Sequence, residues 1–161
     1  MHVALGGTFD PVHDGHRALF RRAFAFGDVT VGLTTDDLAP ETRRESRTIR
    51  SYDRRRSDLA AELADFASRA DREVEIRPLE APTDIAVEPP FDVLVVSPET
   101  RPAADRINEI RRDRGLAALR IEVVPHVLAA DGERISSTRI VRGEIDEHGT
   151  LTPERAGRQV E

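Results

Sequence analysis

The reading of this chain turns on Val3-Ala4-Leu5-Gly6-Gly7-Thr8-Phe9-Asp10-Pro11-Val12-His13-Asp14-Gly15-His16. A short apolar run ends in two glycines, a polar turn follows, and an amphipathic stretch then begins with Leu19, Phe20, Ala23 and Phe24 at helical spacing. The segment is therefore a strand, a tight turn and a helix start. Gly6 and Gly7 let a ligand approach the backbone closely. The N–H groups at a helix start lack intrahelical partners and suit a phosphate. Thr8 adds a hydroxyl, and Pro11 stiffens the loop. His13 and His16 share a helical face, with Gly15 between them leaving room for a base or ribose. The positive end of the helix dipole disfavours imidazolium, so both rings are expected to be neutral until a polyphosphate binds. A plain capping role is the bland alternative. A zinc site is not expected, because the neighbouring sequence does not complete a tetrahedral ligand set.

A second segment, Ile135-Ser136-Ser137-Thr138-Arg139, reads as another helix start. It offers three hydroxyls, unpaired N–H groups and a guanidinium able to fork onto phosphate oxygens. Alone, it would be an ordinary serine cap. Paired with the first segment, it points to an enzyme that handles a nucleoside triphosphate.

Between the two, strand and helix patterns alternate. Strands are predicted at His2 to Gly6, Asp28 to Thr34, Glu73 to Leu79, Phe91 to Val96 and Leu119 to Pro125. Helices are predicted from Arg17 to Phe26, from a Ser51 cap to about Asp71, and from a Ser97 cap with Pro98 at its first position to about Gly115. A short last helix opens at Ser136. The pattern predicts an α/β fold, a Rossmann-like, doubly wound parallel sheet of five strands with helices on both faces. Ligands of such sheets bind beyond the carboxyl ends of the strands, where both motifs fall. One domain is expected over residues 1–150, followed by a polar tail at 151–161.

Composition narrows the class. The chain has 161 residues, no cysteine and a net charge of −6. Disulfides and thiolate chemistry are excluded, and general nucleic-acid binding is disfavoured. No run approaches the roughly 20 apolar residues that span a bilayer, and no basic leader precedes the first strand. A cytoplasmic protein without membrane or nucleic-acid partners is expected. All 24 basic residues are arginine. An acidic, lysine-free surface resembles that of proteins from salt-loving organisms, and a GC-rich genome would produce the same bias.

Residues Gly7 to His16 resemble the signature of the nucleotidyltransferases that carry an HxGH sequence, and Ile135-Ser136-Ser137-Thr138 resembles their second signature. The segments Phe91 to Thr100, Ile107-Asn108 and Ser136 to Ile140 running into Arg142-Gly143-Glu144-Ile145-Asp146 resemble the archaeal phosphopantetheine adenylyltransferases. The resemblance covers about residues 1–150. It implies transfer of the adenylyl group of ATP to 4′-phosphopantetheine, giving dephospho-coenzyme A and pyrophosphate. By resemblance, His16 stabilises the pentavalent α-phosphorus, His13 contacts the triphosphate and Thr8 holds the acceptor phosphate. Ser136, Ser137 and Thr138 take the β- and γ-phosphates, with Mg2+ carried by ATP and no dedicated protein ligand. Gly7, Thr8, Phe9, Gly15 and Arg139 complete the expected ATP site, and Thr8 and Phe9 also face the acceptor. Many relatives place a lysine after the second strand; here Arg43 or Arg44 would substitute. The Arg-Gly-Leu-Arg element of the bacterial enzymes is replaced by Ser97-Pro98-Glu99-Thr100, so neither their phosphate arginines nor their hexamer is implied. Another phosphorylated acceptor (nicotinamide mononucleotide, flavin mononucleotide or glycerol phosphate) is the alternative within enzymes. An inactive nucleotide-binding module is the alternative outside them.

Overall fold

The computed structural model describes residues 1–39 and 48–152. Strand–helix alternation gives β1 (His2–Gly7), α1 (Asp14–Phe26), β2 (Asp28–Thr34), α2 (Tyr52–Ala70) and β3 (Val74–Leu79). After a turn-rich segment come β4 (Val93–Val96), α3 (Arg101–Asp113), β5 (Arg120–Val123) and α4 (Ser137–Val141). The five strands form one sheet in the order β3-β2-β1-β4-β5, every pair parallel. The order reverses between β1 and β4, as expected of a doubly wound sheet with its crevice at that point. Among the described residues, no helix is long and apolar enough to cross a membrane.

Side chains alternate between the two faces of the strands. Val93 and Val95 of β4 join Val3, Leu5, Phe20, Leu59 and Leu63 under α1 and α2. Leu94 and Val96 join Ala4, Phe91, Ala104 and Ile107 under α3. The central strands are thus apolar on both faces, which is why β4 reads as a continuous apolar run. Pro78, which cannot donate to a ladder, is tolerated because β3 is an edge.

The element bounds differ from the expected ones at several ends, β5 for instance spanning Arg120–Val123 rather than Leu119 to Pro125, and three of the differences have a visible cause. Helix α1 starts at Asp14 rather than Arg17, because His13 itself is the N-cap. Strand β4 starts at Val93 rather than Phe91; the chain before it is tied to β1 through the Asp92 carboxylate, which accepts from the His2 N–H. Ser97 and Pro98 open a 3-10 turn, Pro98–Thr100, and α3 follows it.

A fully buried arginine joins the elements beneath the crevice. Arg55, in the first turns of α2, is 0 % exposed. Its guanidinium donates to the carbonyls of Thr34 (2.8 Å), Arg50 (2.8 Å) and Thr8 (3.3 Å), and to Asp36 Oδ1 (3.2 Å). The carboxyl ends of β1 and β2 are thereby fastened to the start of α2. Arg50 continues the network by donating to the buried Asp10 carboxylate and to Asp58. Replacing Arg55 by Met roughly keeps the volume but removes a donor from three backbone carbonyls, each loss costing about 1–3 kcal/mol. Urea unfolding of Arg55→Met is expected to show a loss of about 3 kcal/mol or more; a variant as stable as the parent contradicts this account of the latch.

Candidate active site

Beyond the carboxyl ends of β1 and β4 lies a cleft of about 730 Å3, within the usual size range of ligand pockets. Its wall includes Gly7, Thr8, Phe9, His13, Gly15, His16, Ser136, Ser137, Thr138 and Arg139. The two sequence motifs therefore meet in one cavity. A hydrogen bond joins them directly, from Ser137 Oγ to the Pro11 carbonyl at 2.9 Å. Arg43 and Arg44 lie outside the described residues.

The two histidines build the start of α1. His13 Nδ1 accepts from the Gly15 N–H at 3.0 Å, and His16 Nδ1 accepts from the His13 N–H at 3.2 Å. This reciprocal cap stacks the rings, with centroids 3.8 Å apart and an interplanar angle of 22°. An imidazole that accepts at Nδ1 in its neutral form carries its proton on Nε2. Both rings are therefore Nε2–H donors, suited to phosphate oxygens. Burial pushes the His13 pKa down from 6.5 to about 4, reinforced by the Arg17 and Arg134 cations and opposed by Asp14. Burial, more than the helix dipole invoked from the sequence, accounts for its neutrality.

Gly15 serves a different end from the one expected. A Cβ there would stand 2.7 Å from His13 Cε1, so the space is taken by the imidazole rather than kept for a base or ribose. Two of the helix-start N–H groups are also occupied: Gly15 by His13, and Asp14 by the Glu147 carbonyl at 2.9 Å. Phe9, at φ 51° and 1 % exposed, packs edge-on against His16 with centroids 4.7 Å apart. It is the floor beneath the imidazole. A non-glycine residue at positive φ costs energy and persists only where the surroundings fix it, here Phe20 and the rest of the core.

Thr8 and Thr34 are linked through their hydroxyls at 2.9 Å, and Arg55 Nη1 reaches Thr34 Oγ1 at 3.3 Å. A guanidinium only donates, so Thr34 Oγ1 accepts from Arg55 while sharing a hydrogen bond with the Thr8 hydroxyl. Thr8 thus reaches the cleft wall as part of a hydroxyl pair anchored on a buried guanidinium.

At the second motif, Ser136 Oγ caps α4 by accepting from the Arg139 N–H at 3.2 Å. Ser137 is the bolt to Pro11. Arg139 lines the cleft, yet its guanidinium is held by Asp131, by Glu144 and by the Arg134 carbonyl. Its expected fork onto phosphate thus competes with carboxylates already in place. Arg17 ties the site's rim together, donating to Asp14 at 2.9 Å, Glu62 at 2.7 Å and Glu147 at 2.9 Å. Burial alone would raise the Asp14 pKa, but hydrogen bonds from Arg17 and His148 hold it below its ordinary value.

Further residues complete the wall, and sequence reasoning singled out neither Leu79 nor Arg134 among them. Leu38, Leu79 and Pro82 give one side an apolar surface, and Arg134 and Arg142 add cations. Asn108, read as part of a signature, turns its amide on the backbone of Leu119 and so fixes the start of β5.

These features define a nucleotidyltransferase: the chain belongs to the cytidylyltransferase-like family, whose model matches residues 4–143. Among its relatives, the phosphopantetheine adenylyltransferase of Methanosarcina barkeri is 43% identical over 152 residues, covering 92% of this chain and 91% of the relative. That of Archaeoglobus fulgidus is 38% identical over 153 residues, covering 94% and 99%. A crystal structure of an Archaeoglobus fulgidus protein of unknown function superposes with a TM-score of 0.64 at 35% identity, covering 77% of this chain and 89% of that one.

The depressed His13 pKa has a consequence for stability. Between pH 6.5 and about 4 the unfolded chain takes up a proton at this position and the folded chain does not. Stability contributed by the neutral ring is therefore complete above pH 6.5 and is lost as pH falls through 4. His13→Asn should flatten that part of the curve, read as urea midpoints across the window. An unchanged slope would place the His13 pKa near its ordinary value.

Proposed function

We propose that this chain transfers the adenylyl group of ATP to 4′-phosphopantetheine, giving dephospho-coenzyme A and pyrophosphate. The observation that carries this reading is the meeting of both phosphate motifs in one cleft beside an apolar wall. The names of its relatives supply the acceptor. The polyphosphate meets the histidines and α4, and the arm of the acceptor runs along Leu38, Leu79 and Pro82. That apolar wall supports a pantetheine arm over a short, wholly polar acceptor.

Catalysis then rests on positioning and charge. The attacking phosphate is already ionised near neutral pH, so no general base and no covalent enzyme intermediate is required. Thr8 donates its hydroxyl proton as a hydrogen bond to the acceptor phosphate, with Arg43 or Arg44 as the neighbouring cation. An acceptor oxygen attacks the α-phosphorus in line while pyrophosphate leaves. His16 Nε2–H stabilises the charge that gathers on the pentavalent phosphorus, and His13 contacts the triphosphate. Ser136, Ser137 and Thr138 hold the β- and γ-phosphates through the helix start they build. Magnesium enters bound to ATP and neutralises part of its phosphate charge. Bound triphosphate reverses the electrostatic pressure on the rings.

Three outcomes test this reading. Pyrophosphate release from ATP is expected with phosphopantetheine and not with nicotinamide mononucleotide, flavin mononucleotide or glycerol phosphate; release with another acceptor alone, at high or low salt, moves the specificity there. Losing one preorganised donor costs roughly 10²–10³ in turnover, so His16→Ala should lose about that much with its unfolding curve unchanged. Activity within a few-fold of the parent removes His16 from the mechanism. In an NMR titration, nucleotide should raise the pKa of at least one of His13 and His16; no upward shift would count against their contact with the phosphates.

A further inference from the structure

Three arginines line the cleft: Arg134, Arg139 and Arg142. Arg139 is committed to Asp131 and Glu144. Arg134 is placed differently. It stands in the loop leading to Ser136, and its guanidinium pairs with Glu99 in the turn after β4. Both residues line the cleft, and their side chains are 36% and 37% exposed. The pair thus connects the β4 side of the crevice to the α4 side across ligand-accessible surface. Of the three arginines, Arg134 is the one whose charge registers at the His13 ring. It therefore shares an electrostatic neighbourhood with the Nε2–H donors.

We propose that Arg134 binds the polyphosphate tail of the nucleotide, and that Glu99 holds its guanidinium in place until the phosphates take over. A half-exposed ion pair in water contributes little. A guanidinium forked onto phosphate oxygens makes two charge-assisted hydrogen bonds in fixed geometry. Exchange of one partner for the other is favourable when the phosphate arrives. In the empty site, Glu99 keeps the side chain ordered and aimed at the cleft, but it also competes with the ligand for it. Arg134 then supplies the tail contact that Arg139, held by two carboxylates, is poorly placed to make. The proposal rests on the site taking a nucleoside triphosphate, as above, but not on the identity of the acceptor.

The two sides of the pair give opposite expectations. Equilibrium binding of α,β-methylene ATP and of AMP, without acceptor, separates tail contacts from nucleoside contacts. Arg134→Gln should weaken α,β-methylene ATP about tenfold or more, the range of a lost charged hydrogen bond, and leave AMP within about twofold. Glu99→Gln should tighten α,β-methylene ATP several-fold, because a competing carboxylate is gone. Arg134→Lys should fall between parent and Arg134→Gln, keeping the charge but not the fork. A merely structural pair predicts that Arg134→Gln and Glu99→Gln shift binding in the same direction, or that AMP and α,β-methylene ATP weaken together. Either result overturns the proposal. If Arg134→Gln fails to fold, the sign of the Glu99→Gln effect still decides. A parent that binds α,β-methylene ATP but releases no pyrophosphate with phosphopantetheine contradicts the acceptor assignment while leaving this comparison intact.

Discussion

The reciprocal cap at the start of α1 is the constraint around which the site is arranged. Two hydrogen bonds, Gly15 N–H to His13 and His13 N–H to His16, fix the position and tautomer of both imidazoles. Those bonds form only if the chain leaves β1 in the right direction, and three supports see to that. Arg55 holds the Thr8 carbonyl against the end of β2. Phe9, buried at positive φ, lies under His16. Ser137 and Glu147, from the far end of the chain, hold the Pro11 carbonyl and the Asp14 N–H. The parallel sheet places these supports around one point, because β1 and β4 part at the reversal of strand order.

The same arrangement tunes the chemistry. Desolvation keeps His13 neutral and therefore able to present a single, directed N–H. The guanidinium of Arg55 anchors the Thr34–Thr8 hydroxyl pair at the cleft. Each group is oriented in advance for negative charge, which is how a site without a covalent nucleophile lowers a barrier.

Much of this was legible in the chain. The Ser51 cap of α2, and strand β2 at Asp28–Thr34, follow from residue chemistry and period alone. The site residues that the motifs marked in the described regions all line one cleft. What escaped was the inward use of polar groups. Composition and motifs mark arginines only as surface charge or phosphate ligands, whereas Arg55 and Arg111 are buried donors to carbonyls. Spacing contained the signal: Arg55, Leu59, Leu63 and Ala67 form one buried stripe on α2, and Ala104, Ile107 and Arg111 form another on α3. The start of α1 was missed for a related reason, since a histidine acting as a cap breaks no hydrophobic pattern. The partners of Arg139 depend on a loop geometry that no local period encodes.

Preorganised donors around a direct displacement are the centre of this account, and the stereochemistry at the α-phosphorus reads it out. With ATP carrying a single-configuration sulfur at the α-phosphate, transfer to phosphopantetheine should proceed with inversion in the dephospho-coenzyme A product, as one in-line step requires. Retention would mean two displacements through a covalent enzyme intermediate, and would contradict a site built only to position and stabilise.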